Sequence, residues 1–375
     1  LEAFTVSALY SQIIIQAKKE AIMSQKALNN CMKVISAFVF LLFFQFSYAQ
    51  KKKEIVSPYD FADLTRKLDQ YQKQLGKDMV VMVYKDSQVV YEKNYGDMDK
   101  RTQANIGASS QWLTAALVMQ FIEEGKFTLE SNVVDYISIF GPYFKKFINI
   151  RHCLTHLTGI EYKGNIVNNG KYESLDEEAK TYAKKEIESN PGLQFKFNVV
   201  GLNLAARIAE ISSRKSFDQL IATKLLRLLN MRATTFYGDN GINPSGGAQS
   251  TAQDYLNFLA MLLNKGKFNG KQVLSEATVA AMEKEQVTAD LIKYAPAVAQ
   301  GYTYGYGNWI MEKDKDGNGT AVSCPGVTGM YPFIDYCKKY ACVILVKNDG
   351  EQKKEIYQDI KRTIDNIIPG ECANN

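Results

Sequence analysis

The sequence predicts an α/β (α+β) fold: an antiparallel sheet drawn from both ends of the chain, flanked by helices, with a mainly helical domain inserted between. Strand-like segments are confined to residues 79–95 and to the stretch beyond Tyr302, whereas the middle carries apolar residues at helical spacing. One helical pattern precedes the first strands and another follows the last, which suits two helices laid over one face of a shared sheet. No internal repeat or low-complexity linker interrupts residues 50–375. That stretch reads as one domain, with a sheet part at about 55–107 and 300–375 and a helical part at about 108–299.

The elements follow in order. Phe61, Leu64, Leu68, Tyr71 and Leu75 recur every three to four residues and predict a helix over 60–75. Residues 79–84 and 89–95 read as strands, with Lys85-Asp86-Ser87 as the turn of a hairpin. A polar loop, 97–105, leads to Gly107 and a run of small residues. These open an apolar helix over 113–122 that closes at Glu123-Glu124-Gly125. Helical patterns then cover 175–189, 201–212, 217–229, 252–264 and 275–284. Strands return at 306–311, 320–323, 330–336 and 340–346, before a final helix over 351–367.

The chain opens on Leu, and residues 1–31 show no structural pattern, which suits a non-native or upstream segment. Met32-Lys33, the apolar run 34–46 and the small residues Ser47-Tyr48-Ala49 read as a secretory signal peptide over 32–49, cleaved after Ala49. The apolar run is short of the roughly 20 residues a stable span needs. The expected location is therefore secreted, periplasmic or extracellular, with no stable membrane span after cleavage. Removing residues 1–49 leaves 41 basic and 38 acidic residues, close to neutral. Without a basic stripe, nucleic acid is not an expected partner.

Five cysteines remain, Cys153, Cys324, Cys337, Cys342 and Cys372, an odd and irregular set rather than a disulfide framework. Cys337 and Cys342 flank a turn-like Lys338-Lys339-Tyr340-Ala341 and could face each other across two strands. A disulfide there and two small buried thiols both fit the pattern.

Several segments carry a family resemblance, in one consistent order. They are Val89-Val90-Tyr91-Glu92-Lys93-Asn94-Tyr95-Gly96, Ile150 through Gly159, Pro191-Gly192-Leu193-Gln194-Phe195, Gly247 through Tyr255, and Tyr304-Gly305-Tyr306-Gly307-Asn308-Trp309. Together they resemble the serine β-lactamase-like hydrolases, which include class C β-lactamases, penicillin-binding proteins and related esterases. The resemblance implies the β-lactamase/transpeptidase-like fold and three catalytic motifs. A Ser-x-x-Lys at a helix start would supply the nucleophile and a Lys one turn later. A Tyr-x-Asn would supply a proton-transfer group. A cationic strand motif would complete an oxyanion hole with the backbone N–H of the nucleophile.

Carried over residue by residue, these motifs are not intact. Ala108 stands at the nucleophile position and Gln111 at the Lys position, where an amide cannot act as a base at neutral pH. Phe197 stands for the Tyr and Val199 for the Asn; Cys324 stands at the cationic position, although Gly326 survives. A cleft lined by Gly107, Ser109, Ser110, Trp112, Cys324 and Gly326 is the expected remnant.

Other readings weigh less. Ser109 and Ser110 could replace the nucleophile, but Trp112 and Leu113 sit where a Lys is needed, and both serines suit backbone capping. Lys196 is a candidate displaced base, yet in an extended segment it points away from Phe197. His152 and His156 lack a third ligand, so no metal site is expected. Asp314 through Gly319 matches half a calcium loop, but Pro325 stands where a bidentate Glu belongs, so a hairpin turn is expected.

The expected protein is thus a non-catalytic member of this family, needing no cofactor. It keeps a cleft for a small-molecule or peptide-like ligand or for a protein partner. The alternatives are an active serine esterase, amidase or peptidase using Ser109, and a structural or adhesion protein with a vestigial cleft.

Overall fold

The computed structural model describes residues 16–21, 23–25, 28, 32, 55, 57–164, 172–236, 241–327, 329–347 and 353–372. The chain divides into two compact units, 1–54 and 55–375. The described residues of the first are helical. The expected signal segment beyond Met32 lies outside the described residues, among which no helix is long and apolar enough to cross a membrane. Every element named from here belongs to the second unit.

Helix α1 (Ala62–Leu75) buries Leu64, Leu68 and Leu75 as one stripe. Strands β1 (Met79–Lys85) and β2 (Gln88–Tyr95) follow. Asp86 (φ 51°) and Ser87 (φ 63°) join them in the left-handed region, as a two-residue type I′ turn requires. Helix α2 (Ser110–Glu123) is buried on nearly every side, matching its apolar sequence. The helical middle continues with α3 (Ile150–Leu154), α4 (Leu175–Lys184), the short strand β3 (Phe195–Lys196), α5 (Val200–Ser213), α6 (Phe217–Ile221), α7 (Ala252–Leu263) and α8 (Glu276–Met282). The chain ends with β4 (Ile292–Tyr294), β5 (Thr303–Tyr304), β6 (Trp309–Lys313), β7 (Gly319–Ser323), β8 (Met330–Asp335), β9 (Tyr340–Val346) and α9 (Lys354–Ile367).

Among the described residues seven strands form one sheet in the order β2-β1-β9-β8-β7-β6-β5, each neighbouring pair antiparallel. The two chain ends meet at its centre, where Met79 faces Val346 and the register runs to Lys85 opposite Tyr340. Strand period decides which layer each residue joins. Met79, Val81 and Val83 join the core that contains α1 and α9 residues, while Val80 and Met82 join the core of α2, α5 and α7. Lys67 and Tyr71 of α1 both reach Asp359 of α9, at 2.7 and 2.9 Å. The architecture is the α/β arrangement expected, a terminal-strand sheet flanked by helices with further helical elements between.

Element ends differ where tertiary contacts intervene. The helix expected over 175–189 stops at Lys184, because Lys145 Nζ donates to the Ala183 carbonyl at 2.8 Å and Ile187 bridges to Ile160 instead. The strand expected from 306 begins at Trp309, because residues 305–308 form the turn between β5 and β6. Gly307 (φ 80°) lies against α2 there; a Cβ on it would stand 2.3 Å from that of Ala115.

Of the two readings left open for Cys337 and Cys342, the disulfide between them does not form and the buried thiol holds for Cys342 alone. Cys337 bonds to Cys372, and Cys342 is a buried free thiol paired in register with Phe333. Asp335 and Tyr340 close the β8–β9 ladder, so Cys337 lies within the turn and has no partner across it. The bond ties the hairpin to the chain's end across a separation of 35 residues. Replacing Cys337 and Cys372 together with Ser is expected to lower the unfolding free energy by about 2–4 kcal/mol. A drop in the urea midpoint, with the slope rising as the freed denatured chain exposes more surface, reads this out.

Candidate functional site

The segment leading into α2 is held by its own backbone. Gly107 (φ 50°) makes the bend, and its N–H donates to Asn105 Oδ1 at 2.6 Å. Each polar group of the first turn then finds an internal partner. The Ala108 N–H donates to the Gly326 carbonyl at 2.9 Å. Ser109 Oγ donates to the Cys324 carbonyl at 2.6 Å. Ser110 Oγ donates to the Gly107 carbonyl at 2.6 Å and accepts from the Ala248 N–H at 3.1 Å. Tyr255 Oη donates to the Ser109 carbonyl at 2.8 Å, and Cys324 Sγ lies 3.4 Å from the Ala108 carbonyl.

The Gly326–Val327 peptide has a consequence for any reacting carbonyl. In a trans peptide the C=O and the following N–H point in opposite directions. With the Gly326 oxygen on the Ala108 N–H, the Val327 N–H faces away from Ala108. Val327 takes φ 69°, unusual for a β-branched residue. The Gly326 N–H is itself engaged by the Met330 carbonyl at 2.7 Å.

One turn into α2, Gln111 enters a buried polar triangle. Its Oε1 lies 3.0 Å from His156 Nε2, which lies 3.0 Å from Tyr304 Oη. Its Nε2 donates to the Asn198 carbonyl at 3.2 Å. The Asn198 N–H points at His156 Nδ1 from 3.4 Å, so this network assigns the ring proton to Nε2, facing Gln111 and Tyr304. Burial pulls the His156 pKa down to about 3.

Such a base contributes stability above its unfolded value near 6.5, and that contribution is lost as pH falls from there toward about 3. His156 is therefore expected to hold a constant NMR shift down to about pH 5. His152, half-buried and the other of two histidines, has its own pKa lowered, chiefly by burial. A His156 signal that moved in that window would mean water reaches the site.

Around this triangle aromatic rings close in. Phe197 lies 4.8 Å from the His156 ring and 5.3 Å from Trp309, centroid to centroid. Phe195 lies 5.0 Å from Tyr304 and 5.4 Å from Trp309. The sequence pattern assigns no element to 285–302, yet this segment is part of the wall. Its strand β4 runs parallel to β3, and the Phe197 N–H donates to the Tyr294 carbonyl at 3.2 Å. Val287, Val298, Ala299 and Tyr302 join the buried cluster that holds Ala108, Phe195, Phe197, Tyr304 and Trp309.

Most of the residues singled out in the sequence do come together. Ala108, Gln111, Phe197, Cys324 and Gly326 converge at the start of α2, and Val199 opens α5 beside them with its carbonyl on Ser245 Oγ at 3.1 Å. Ala108, Ser109, Ser110, Gln111, Val199 and Cys324 are all 0% exposed. Burial pushes the Cys324 thiol up to about 12, which leaves no thiolate at neutral pH.

Trp112 does not join them. Its ring packs edge-on to Phe258 of α7, at 5.7 Å, in the other core. Lys196 points outward into an ion pair with Glu188. His152 serves the start of α3, where its Nδ1 accepts from the Asn149 N–H at 3.3 Å. The Asp314 carboxylate accepts from the N–H groups of Asp316 and Asn318, at 2.9 and 2.8 Å, and forms a plain turn.

Sequence reasoning missed the pairing of His156 with Gln111 and the covering role of 285–302. The available signal was the recurrence of Val287, Leu291, Ile292 and Val298 in a stretch with no helical or strand period.

Comparison with known proteins places the scaffold. The family model described as Beta-lactamase matches residues 64–363. A teichoic acid D-alanine hydrolase of Staphylococcus aureus is 26% identical over 207 residues, which is 50% of this chain and 50% of the relative. The chain thus spans about half the length of the curated relatives it matches. Among solved structures, a Bacteroides dorei DSM 17855 protein described as a putative beta-lactamase superposes with a TM-score of 0.75 at 23% identity, covering 82% of this chain and 99% of that one. The octameric penicillin-binding protein homologue of Pyrococcus abyssi gives a TM-score of 0.65 at 20% identity, covering 81% and 77%. At these identities the structural likeness speaks for the fold.

Proposed function

The chain belongs to the β-lactamase family, and from that premise we propose that it is a member that performs no acyl transfer and works by binding. The observation that carries the reading is the hydrogen bond from the Ala108 N–H to the Gly326 carbonyl. Acyl transfer needs a nucleophile and free donors aimed at the oxygen that becomes negative. Here a methyl group stands at the nucleophile position, and the donor beside it is occupied by the protein's own carbonyl.

The neighbours support the same reading. Gln111 offers an amide where the family's chemistry uses an amine, and its oxygen is engaged by a neutral histidine. Phe197 and Val199 bring no proton-transfer group. Ser109, the alternative nucleophile, donates to a carbonyl and has no base among its partners. The ligand is a small molecule, a peptide-like chain or a protein partner bound on the retained scaffold, with the apolar floor below it. The Cys337–Cys372 bond suits an oxidising compartment and so supports export. The deciding experiment is intact-mass spectrometry after exposure to acylating probes.

A further inference from the structure

Residues 141–147, Gly-Pro-Tyr-Phe-Lys-Lys-Phe, lead into the start of α3, and none of them belongs to the buried cluster around Ala108. Three aromatic side chains of this loop face solvent: Tyr143 is 40% exposed, Phe144 90% and Phe147 68%. Isolated surface hydrophobics need no explanation, but three in five residues on one loop form a patch. Phe144 is the most exposed large hydrophobic among the described residues.

The projection is built rather than loose. Phe144 takes φ 58°, a left-handed backbone that a bulky residue avoids unless its surroundings impose it. The Phe144 N–H donates to the Gly141 carbonyl and the Lys145 N–H to the Phe140 carbonyl, both at 3.0 Å. Buried Lys145 anchors the loop to the end of α4 through the Ala183 carbonyl. The backbone thus holds a phenyl ring out in water at a conformational cost, which points to a use for that ring outside the molecule.

The charges around it select the occupant. The loop contains no acid. Lys146 is exposed, with Nζ 5.1 Å from the Phe147 ring centroid. Exposed Lys184 follows Ala183 directly, with Glu186 and Glu188 further along the chain, while Lys185 is turned to the Tyr162 ring, 5.9 Å from its centroid. We propose that this loop seats Phe144 and Phe147 in the interface of an anionic phospholipid bilayer, with Lys146 and Lys184 at headgroup level. A convex tip of rings needs a socket to bind a protein, whereas a bilayer yields to it. Lysine stems lie along apolar surface while their ammonium groups meet phosphate. A peripheral contact of this kind asks for no membrane-crossing helix, and it is independent of the catalytic reading of the buried site.

The only two tryptophans, Trp112 and Trp309, are both 0% exposed, so Phe144→Trp adds one exposed indole. Residues 34–46 are themselves largely apolar, so vesicle sedimentation of the full chain does not decide; a local probe does. With phosphatidylglycerol vesicles carrying brominated acyl chains, the indole added in F144W is expected to shift to the blue and be quenched, while the two buried indoles keep their emission. Phosphatidylcholine vesicles should produce far less of either change, and the parent chain should stay unchanged. Phe147→Trp provides a second, independent probe with the same expected result. Emission typical of water-exposed indole at both positions on anionic vesicles overturns the proposal. So does a concentration-dependent blue shift without lipid accompanied by a dimer in sedimentation velocity, which would assign the loop to self-association.

Discussion

The chain incubated with a penicillin, an activated ester and a fluorophosphonate is expected to keep its unmodified mass with each. The expectation follows from the state of the serine, threonine and cysteine side chains at the start of α2. Ser109 and Ser110 donate to backbone carbonyls at 2.6 Å and are fully buried. Thr114 Oγ1 donates to the Pro244 carbonyl at 2.7 Å. Cys324 is held as a neutral thiol by burial. None of these groups has a partner that can take its proton. Removal of a nucleophile from a working unit costs about a millionfold in turnover, so residual hydrolysis should be indistinguishable from background. An adduct on Ser109 that disappears in Ser109→Ala would overturn the non-catalytic reading and install the alternative nucleophile.

How much of this was legible beforehand varied with the range of the interaction. Helix α2 announced itself because Gly107, the small residues after it and the closing Glu123-Glu124-Gly125 are local signals. The central strands were equally plain, since the apolar runs at 79–84 and 340–346 leave few other solutions. The identities of Ala108, Gln111, Phe197 and Val199, on which the proposed non-catalytic reading rests, were legible directly.

What those positions do now was not. The direction of the Gly326–Val327 peptide is a backbone choice that no side chain encodes. The Gln111–His156 contact joins residues 45 apart. The cover at 285–302 lacks any period because β4 spans only three residues and is set by pairing with β3. That neither reading of Cys337 and Cys342 reached Cys372 has a similar origin: the hairpin turn lies two residues earlier than the apolar pattern suggests, and Cys372 approaches it from the far end of the chain.

Restoring the family's residues is expected to destabilise the protein without reviving it. In the triple variant Ala108→Ser, Gln111→Lys, Phe197→Tyr, the new ammonium replaces an amide that is 0% exposed. Gln111 Oε1 accepts from His156 Nε2–H, whereas a lysine can only donate, so donor would meet donor. The ring could transfer its proton to Nδ1, but that atom faces the Asn198 N–H, and the clash moves to the other side. No carboxylate is hydrogen-bonded within the triangle to compensate the charge. Leaving a buried charge without a partner costs about 3–5 kcal/mol, so the urea midpoint should fall steeply. Gln111→Lys alone should account for most of the loss.

The hydroxyl restored at position 108 would meet a second obstacle that residue exchange leaves in place. Its backbone N–H would still donate to the Gly326 carbonyl, and the Val327 N–H would still face away, so a carbonyl substrate would find neither donor. Turnover should therefore remain at background in an ester assay even where the triple variant is folded. Activity in that variant, absent from the parent, would mean that the Gly326–Val327 peptide turns over and the 285–302 segment moves aside within the lifetime of the folded state. The closure would then be a reversible state of the scaffold, and the missing side chains alone would account for its silence.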